Sequence, residues 1–508
     1  MTALKSTVRL VVATVVLRLF GFVRDIVLAA GFGAGVVSDA FMLSSNIPLI
    51  LFDNLAIAVA NSFLPQYQSL DKDKDYFFSN VINLLLVAGI VLSLLFMFVP
   101  QVLVFLFASQ LDSATFSLTS SFLQVTIWIT VPLLLMAVLR ISLHSQGVFF
   151  STQVTLICVN VFIVVAIVFG SYTGNLSLLP IGVLLGHVLY LGILVVMVGH
   201  RGVVYRPWLN IRDSRILAML PFLLPLFASA LGTELSHIID KNFASALEPG
   251  TISALGYASR MSKQFHLVIG VSIVTVMYPK MLDLGNQGET DKLVGYVKKF
   301  LQVLVPIMLP FTAGLILMAE PAVALIYERG AFTPENTRVT AECLQMYAIG
   351  VGFTSINVFL SRTFFALQDT KTPFRMFVVS LCVSIVLNLV LIGPLQHMGL
   401  ALSTSLSSVV YTGLLLWVLV KRMGSLGLSE LKLEWLKALI ATLIMSFIVW
   451  GGLYLLPVRD GNILQTVAWV SVLVIVGVGV YILVHVLLRT VFLRDSIAMA
   501  KRFLSRKL

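Results

Sequence analysis

About fourteen stretches of 18 or more mainly apolar residues follow one another along this chain, separated by short polar breaks. That repetition leaves little freedom of fold. A helix of this length crosses a hydrocarbon core of ~30 Å with its backbone N–H and C=O groups bonded internally, whereas extended chain would leave them bare in lipid. Of the 508 residues, 59% are hydrophobic and 11% charged, a balance foreign to soluble domains. The expected fold is an all-α polytopic membrane protein with helices centred near residues 18, 52, 93, 132, 160, 188, 232, 268, 311, 352, 382, 409, 444 and 477. The first run is too long for a signal peptide, carries two arginines and lacks a small-residue cleavage site. Cys158, Cys343 and Cys382 lie far apart in apolar runs and read as packing residues.

The basic residues orient these helices. With the N-terminus in the cytoplasm, 24 of the 34 Lys and Arg residues fall in cytoplasmic segments and only Arg329, Arg338 and Arg459 in external loops, as the positive-inside rule requires. Fourteen crossings also keep the basic C-terminus inside. The net charge of +11 therefore reports topology and attraction to anionic membrane lipids, not nucleic-acid binding.

Seven cations remain inside helices: Arg18, Arg24, Arg140, Lys241, Arg260, Lys263 and Arg362. Arg140 and Arg362 lie near cytoplasmic helix ends, where a long side chain can snorkel to the headgroups. Arg18, Arg24 and Arg260 lie deeper, where a lipid-facing arginine costs several kcal/mol (~3 on insertion scales). They are expected to face a hydrated interior. Thr14, Arg18, Gly21 and Asp25 are spaced 4, 3 and 4 apart and share a helix face. Ser229, Thr233, Ser236 and Asp240 repeat the stripe at a constant shift of 215, with Glu234, His237 and Lys241 beside it. Ala40 to Pro65 and Ala254 to Pro279 span equal lengths, and "LRISLHSQ" parallels "SRTFFALQ". Two copies of a six-helix unit are expected, residues 1–215 and 216–425, related by an axis along the membrane normal, with residues 426–508 supplying two further helices and a basic tail.

Two parallel lobes around a charged cleft describe an alternating-access transporter. Enzyme signatures are missing: there is no GxxxxGK[ST], HExxH or GxSxG, and the "GFGAG" at 31–35 reads as a tight turn between helices 1 and 2. The scattered histidines make a zinc site unexpected. Directed transport would then draw on an ion gradient or the membrane potential.

"RLFGFVRDIVLAAGFGAGVVSDAF", "SALGYASRMSKQFHLVIGVSIVTVMYPKM" and "YERGAFTPENTRVTAECLQMYAIGVGFTSINVFLSRTFFALQDTKTPFR" resemble the MurJ (MviN) family of the multidrug/oligosaccharidyl-lipid/polysaccharide exporter superfamily. The resemblance implies a flippase for lipid II, the undecaprenyl-diphosphate-linked peptidoglycan precursor, in the bacterial inner membrane, with both termini cytoplasmic and the chain a monomer. It further implies that Arg18, Arg24, Asp25 and Arg260 bind the diphosphate and that Asp39 serves a gate. Asp240 and Asp369 fall where some members couple Na+; a proton is the other coupling ion considered, and no further cofactor is expected. Helices 13 and 14 would form the groove for the polyprenyl tail. Asp53, Glu234, His237, Lys241 and Lys263 are further cavity candidates.

The chain also departs from the family pattern. The arginine pair that usually follows Pro48 is replaced by Phe52 and Asp53, while Lys263 and His266 add positive charge later in the chain. Two alternatives follow: a flippase for another lipid-linked oligosaccharide, or a membrane scaffold that has kept the fold and lost the site.

Overall fold

The computed structural model describes residues 2–70, 73–266, 272–424, 426–455 and 463–491. The chain is helical, with no strand among the described residues. We number the long helices α1 (Thr2–Phe32), α2 (Val36–Ser69), α3 (Lys74–Phe98), α4 (Ser113–Ser145), α5 (Phe150–Thr173), α6 (Leu178–Gly199) and α7 (Ser214–Ala244). There follow α8 (Thr251–His266), α9 (Ser272–Asn286), α10 (Thr290–Leu317), α11 (Pro334–Ala366), α12 (Lys371–Met423), α13 (Lys432–Leu455) and α14 (Ile463–Leu487).

Among the described residues, ten helical stretches are long and apolar enough to cross a membrane. One of them, α12, has 53 residues and would extend ~80 Å at 1.5 Å per residue, far beyond one bilayer. It folds back at Gln396, where φ is 47° and ψ is −124°, two residues after Pro394, and so supplies two crossings. With α1, α7 and the α8–α9 stretch, the count reaches the fourteen expected.

The helices cluster into two compact units, residues 1–253 with 329–333, and residues 254–328 with 334–508. In the first, α1 packs on α5, α5 on α6, and α2 on both α4 and α7. The repeat read from the sequence breaks at residue 215, but packing against α2 keeps α7 in the first unit. In the second, α11 packs on α10 and α12, and α13 on α10 and α14. Small residues allow the backbones to approach closely: a Cβ on Gly186 of α6 would stand 3.0 Å from the Val159 backbone of α5, and one on Gly350 of α11 would stand 2.7 Å from Ser405 Oγ of α12.

Proline inside a membrane helix frees a carbonyl, because the residue four positions earlier loses its N–H donor. In both units a neighbouring helix supplies the replacement. Pro48 leaves the Ser44 carbonyl open, and Thr126 Oγ1 of α4 donates to it at 2.8 Å. Pro310 does the same to the Pro306 carbonyl, which accepts from the Tyr481 hydroxyl of α14 at 2.5 Å. Each bond ties a bent helix to its neighbour at the point of weakness.

Replacing Thr126 by Val keeps the shape and strands the Ser44 carbonyl, so we expect a loss of about 1 kcal/mol. Thermal unfolding in detergent should show a lower Tm for Thr126→Val and near-parental behaviour for Thr126→Ser.

Candidate functional site

The charges of α1 are held, not loose. Arg24 donates through Nε and Nη2 to Asp25 Oδ1 at 3.2 and 3.1 Å, and the carboxylate is 1% exposed while the guanidinium side chain keeps 22% of its surface. Adjacent residues on a helix point about 100° apart, so the pair forms only because the long arginine bends back to its neighbour. Asp25 thereby helps to fix the guanidinium. Arg18, two turns earlier, is exposed. His187 of α6 is buried, with Nδ1 bonded to the Val183 carbonyl at 2.7 Å, and lies within electrostatic range of Arg24. Nothing in the spacing of the seven histidines pointed to this neighbour.

Asp39, expected at a gate, is buried and caps the start of α8. Its Oδ2 accepts from the Gly250 N–H at 2.6 Å and its Oδ1 from the Ser253 N–H at 2.7 Å. These donors open the first turn of α8, whose N–H groups have no partner within the helix and carry the positive end of its dipole. Gly250 is required here: its φ is +95°, and a Cβ would stand 2.6 Å from the Ala34 carbonyl oxygen. The "GFGAG" run does form the turn between α1 and α2, with Gly33 at φ +65°. The 329–333 segment closes on the same place through the Ala331 N–H to the Ala30 carbonyl at 2.8 Å.

After Pro48, α2 opens into a five-residue π-helical turn, Leu49–Asp53, a widening that recurs at functional sites. Phe52 is buried and packs 6.1 Å from Phe96. Asp53 is half-buried, within electrostatic range of Arg140 of α4. Arg140 is half-buried and also reaches the Tyr190 hydroxyl. Arg140, expected to snorkel, thus has Asp53 and Tyr190 as neighbours in the fold.

On α7, Glu234, Asp240 and Lys241 are half-buried, and the His237 side chain lies outside the described ones. In the second unit Arg260 is half-buried and Lys263, one turn on, is exposed. His266 Nδ1 meets Ser355 Oγ of α11 at 2.9 Å. Arg362 lies over the Tyr278 ring, 4.7 Å from its centre.

Asp369 sits in the turn between α11 and α12 and caps α12. It accepts from the Thr372 N–H at 3.0 Å and from the Thr372 hydroxyl at 2.8 Å, and Arg422 Nη1 reaches Oδ2 at 2.8 Å. Burial pushes its pKa up, but the Thr372 donors and the Arg422 charge outweigh burial and hold the carboxyl below its ordinary value.

The second unit also contains an apolar cavity of about 420 Å³ between α10, α13 and α14, lined by residues including Phe311, Gly314, Met445, Val449, Leu473 and Gly477.

The family model described as "Lipid II flippase MurJ" matches residues 28–458. The chain belongs to the MurJ family. A Rickettsia prowazekii protein described as "Probable lipid II flippase MurJ" is 26% identical over 505 residues, covering 97% of this chain and 99% of its own. A solved structure titled "Lipid II flippase MurJ, inward closed conformation" superposes with a TM-score of 0.80 at 25% identity, covering 96% of this chain and 99% of that one. A multidrug MATE transporter of the MOP superfamily in an inward-facing conformation superposes at 0.67 with 13% identity, covering 83% of this chain and 99% of that one, a likeness of fold. The fold of this chain is thus MurJ-like.

Because the Asp369 pKa is lowered in the fold, its contribution is complete above the carboxyl's unfolded pKa and disappears as pH falls through the folded one. Asp369→Asn should lower Tm at pH 7 by the equivalent of ~1 kcal/mol. The gap to the parent should close on acidification, followed by thermal melts across pH.

Proposed function

We propose that this chain moves lipid II from the cytoplasmic to the outer leaflet of the bacterial inner membrane by alternating access. The match to the lipid II flippase family over residues 28–458 carries this reading, and the local chemistry supports it. A dianionic diphosphate suits guanidinium forks, which Arg18, Arg24 and Arg260 provide. Asp25 has a double effect: it orients Arg24 and competes with substrate for the same cation, so that capture is followed by release. The polyprenyl tail requires a dry, elongated apolar surface, and the cavity between α10, α13 and α14 offers one.

In the proposed cycle the cytoplasmic-facing state binds the headgroup, and the Asp39 contacts with α8 hold the outer side shut until the lobes, residues 1–215 and 216–425, exchange access. Both termini lie in the cytoplasm and the protein acts as a monomer. Energy enters as Na+, H+ or membrane potential. Asp240 and Asp369 are the acids we assign to ion coupling, with Asp369 also bonded to Thr372 and Arg422. Glu234, His237, Lys241 and Lys263 belong to the same proposed cavity. A second reading, a flippase for another undecaprenyl-diphosphate oligosaccharide, is favoured by one observation: Phe52 and Asp53 occupy the π-helical turn of α2 where the family pattern has its arginine pair.

Complementation of a strain depleted of its lipid II flippase separates these readings. Growth with the parent chain and its loss in Arg24→Ala and Arg260→Ala, at equal membrane abundance, is the expected result. Failure of a well-expressed parent moves the substrate to another lipid-linked glycan, and equal growth of the alanine variants removes the diphosphate site.

Filling the cavity should separate tail from headgroup recognition. We expect Gly314→Phe to reduce flipping of a polyprenyl substrate at least ~10-fold in proteoliposomes, the weight of a few buried methylenes. Binding of a short-chain diphosphate analogue should be retained.

A further inference from the structure

The connection between α6 and α7 is an extended strap bound along one face of α3. The α3 sequence places Asp75, Ser79, Asn80 and Asn83 within two to three turns of one another, and each engages the strap. The Val204 N–H donates to Asp75 Oδ1 at 3.3 Å and the Arg206 N–H to Ser79 Oγ at 2.8 Å. Asn80 makes a two-way pair with the Asn210 backbone, donating to its carbonyl at 3.0 Å and accepting from its N–H at 2.7 Å. Asn83 donates to the Trp208 carbonyl at 2.9 Å and accepts from the Tyr205 hydroxyl at 2.8 Å. At the far end Asp213 caps α7 and holds Arg215 at 2.6 Å.

Side chains thus supply what a neighbouring strand would, and the strap is fixed without burying its own apolar groups. Val204, Tyr205, Trp208, Leu209 and Ile211 remain 48–68% exposed. Arg201, Arg206 and Arg212 are interleaved with them and are also exposed. Arg206 is braced on Tyr76, with Nη1 to the hydroxyl at 3.0 Å and the guanidinium 4.7 Å from the ring centre. Trp208 meets the same ring edge-on at 6.2 Å.

A water-facing loop gains nothing by presenting five large apolar side chains on a rigid backbone, whereas the headgroup layer accepts aromatic rings and aliphatic groups together with cations. The strap leaves the end of α6 and packs on the start of α3, both long and apolar enough to cross a membrane, so a headgroup layer at these helix ends would meet it. We propose that residues 201–212 form an anionic-phospholipid site, in which Tyr205, Trp208, Leu209 and Ile211 enter the interface and Arg201, Arg206 and Arg212 bind lipid phosphate. The occupant is a bilayer lipid, chosen by the complement of fixed positive charge and apolar area. The site is separate from the diphosphate residues and does not depend on what the protein transports.

The full chain in nanodiscs tests it. The Trp208 signal is isolated as the difference between the parent and Trp208→Phe. We expect strong quenching by brominated phosphatidylglycerol diluted into phosphatidylcholine, weaker quenching by brominated phosphatidylcholine at the same fraction, and little by aqueous acrylamide. Arg206→Gln and Arg212→Gln should each reduce the preference for phosphatidylglycerol about fivefold, with Arg206→Lys retaining most of it. The melting temperature in detergent checks that each variant is folded. Quenching of Trp208 by acrylamide and not by brominated lipid would overturn the proposal, since the strap would then face water or a soluble partner. Equal quenching by the two brominated lipids, unchanged in the arginine variants, would overturn the anionic site and leave an ordinary interfacial contact.

Discussion

In hydrocarbon, a polar group without an internal partner has no water to fall back on, and an unpaired carbonyl or charge costs kilocalories that a marginally stable protein cannot absorb. Much of the detail of this molecule answers that constraint. Pro48 and Pro310 lie inside helices, and Thr126 and Tyr481 supply the donors that the prolines removed. The α11–α12 contact is joined in the same way: Asn357 donates to the Ser408 carbonyl at 3.0 Å and accepts from the Thr412 hydroxyl at 2.7 Å. Irregular backbone is tolerated because a neighbour has been arranged to complete it.

Charges answer to the same rule at a higher cost. Asp25 stands beside Arg24, Asp53 near Arg140, and Asp369 between Thr372 and Arg422. Pairing lowers the cost of keeping a cation in the membrane interior, and it also sets how firmly that cation can hold a second anion. In the proposed role, an arginine with an adjacent carboxylate would be a moderated binding site: able to recognise a diphosphate and already partly satisfied when the diphosphate leaves. A transporter needs that moderation, because a site that binds too tightly in either access state stops the cycle.

What could be read from the sequence was local or periodic. The helix count, the 3-and-4 spacing of Arg18, Gly21 and Asp25, and the turn at Gly33 require only neighbours along one helix. The cap that Asp39 places on α8 spans 211 and 214 residues, and no periodicity announces it. The neighbours of Arg140 were hidden for the same reason: they come from α2 and α6. Asp369 and Arg422 are 53 residues apart, so the acid that read as an ion ligand is held by a pair visible only in three dimensions. The strap could have been suspected, since four polar residues lie near the start of the otherwise apolar α3, and such residues must be engaged by something.

The distribution of contact types bears on how such a molecule can move. Within each unit the helices meet through small residues and close backbone approach, contacts that are numerous, weak and lost only if whole helices separate. The proposed outer latch is of another kind: two directional bonds from one carboxylate to one helix N-terminus, with Gly250 shaped so that the backbone of the α1–α2 turn can lie against it. Amide-to-carboxylate bonds contribute ~1.5–3 kcal/mol each when intact and can be exchanged for water as a set. Two conformations balanced within a few kcal/mol are what a ligand of moderate affinity can interconvert. Helices of each unit are held by many small contacts, whereas the start of α8 is held by two directional bonds to one carboxylate, so the gate role proposed for Asp39 rests on a few polar bonds rather than on the apolar core.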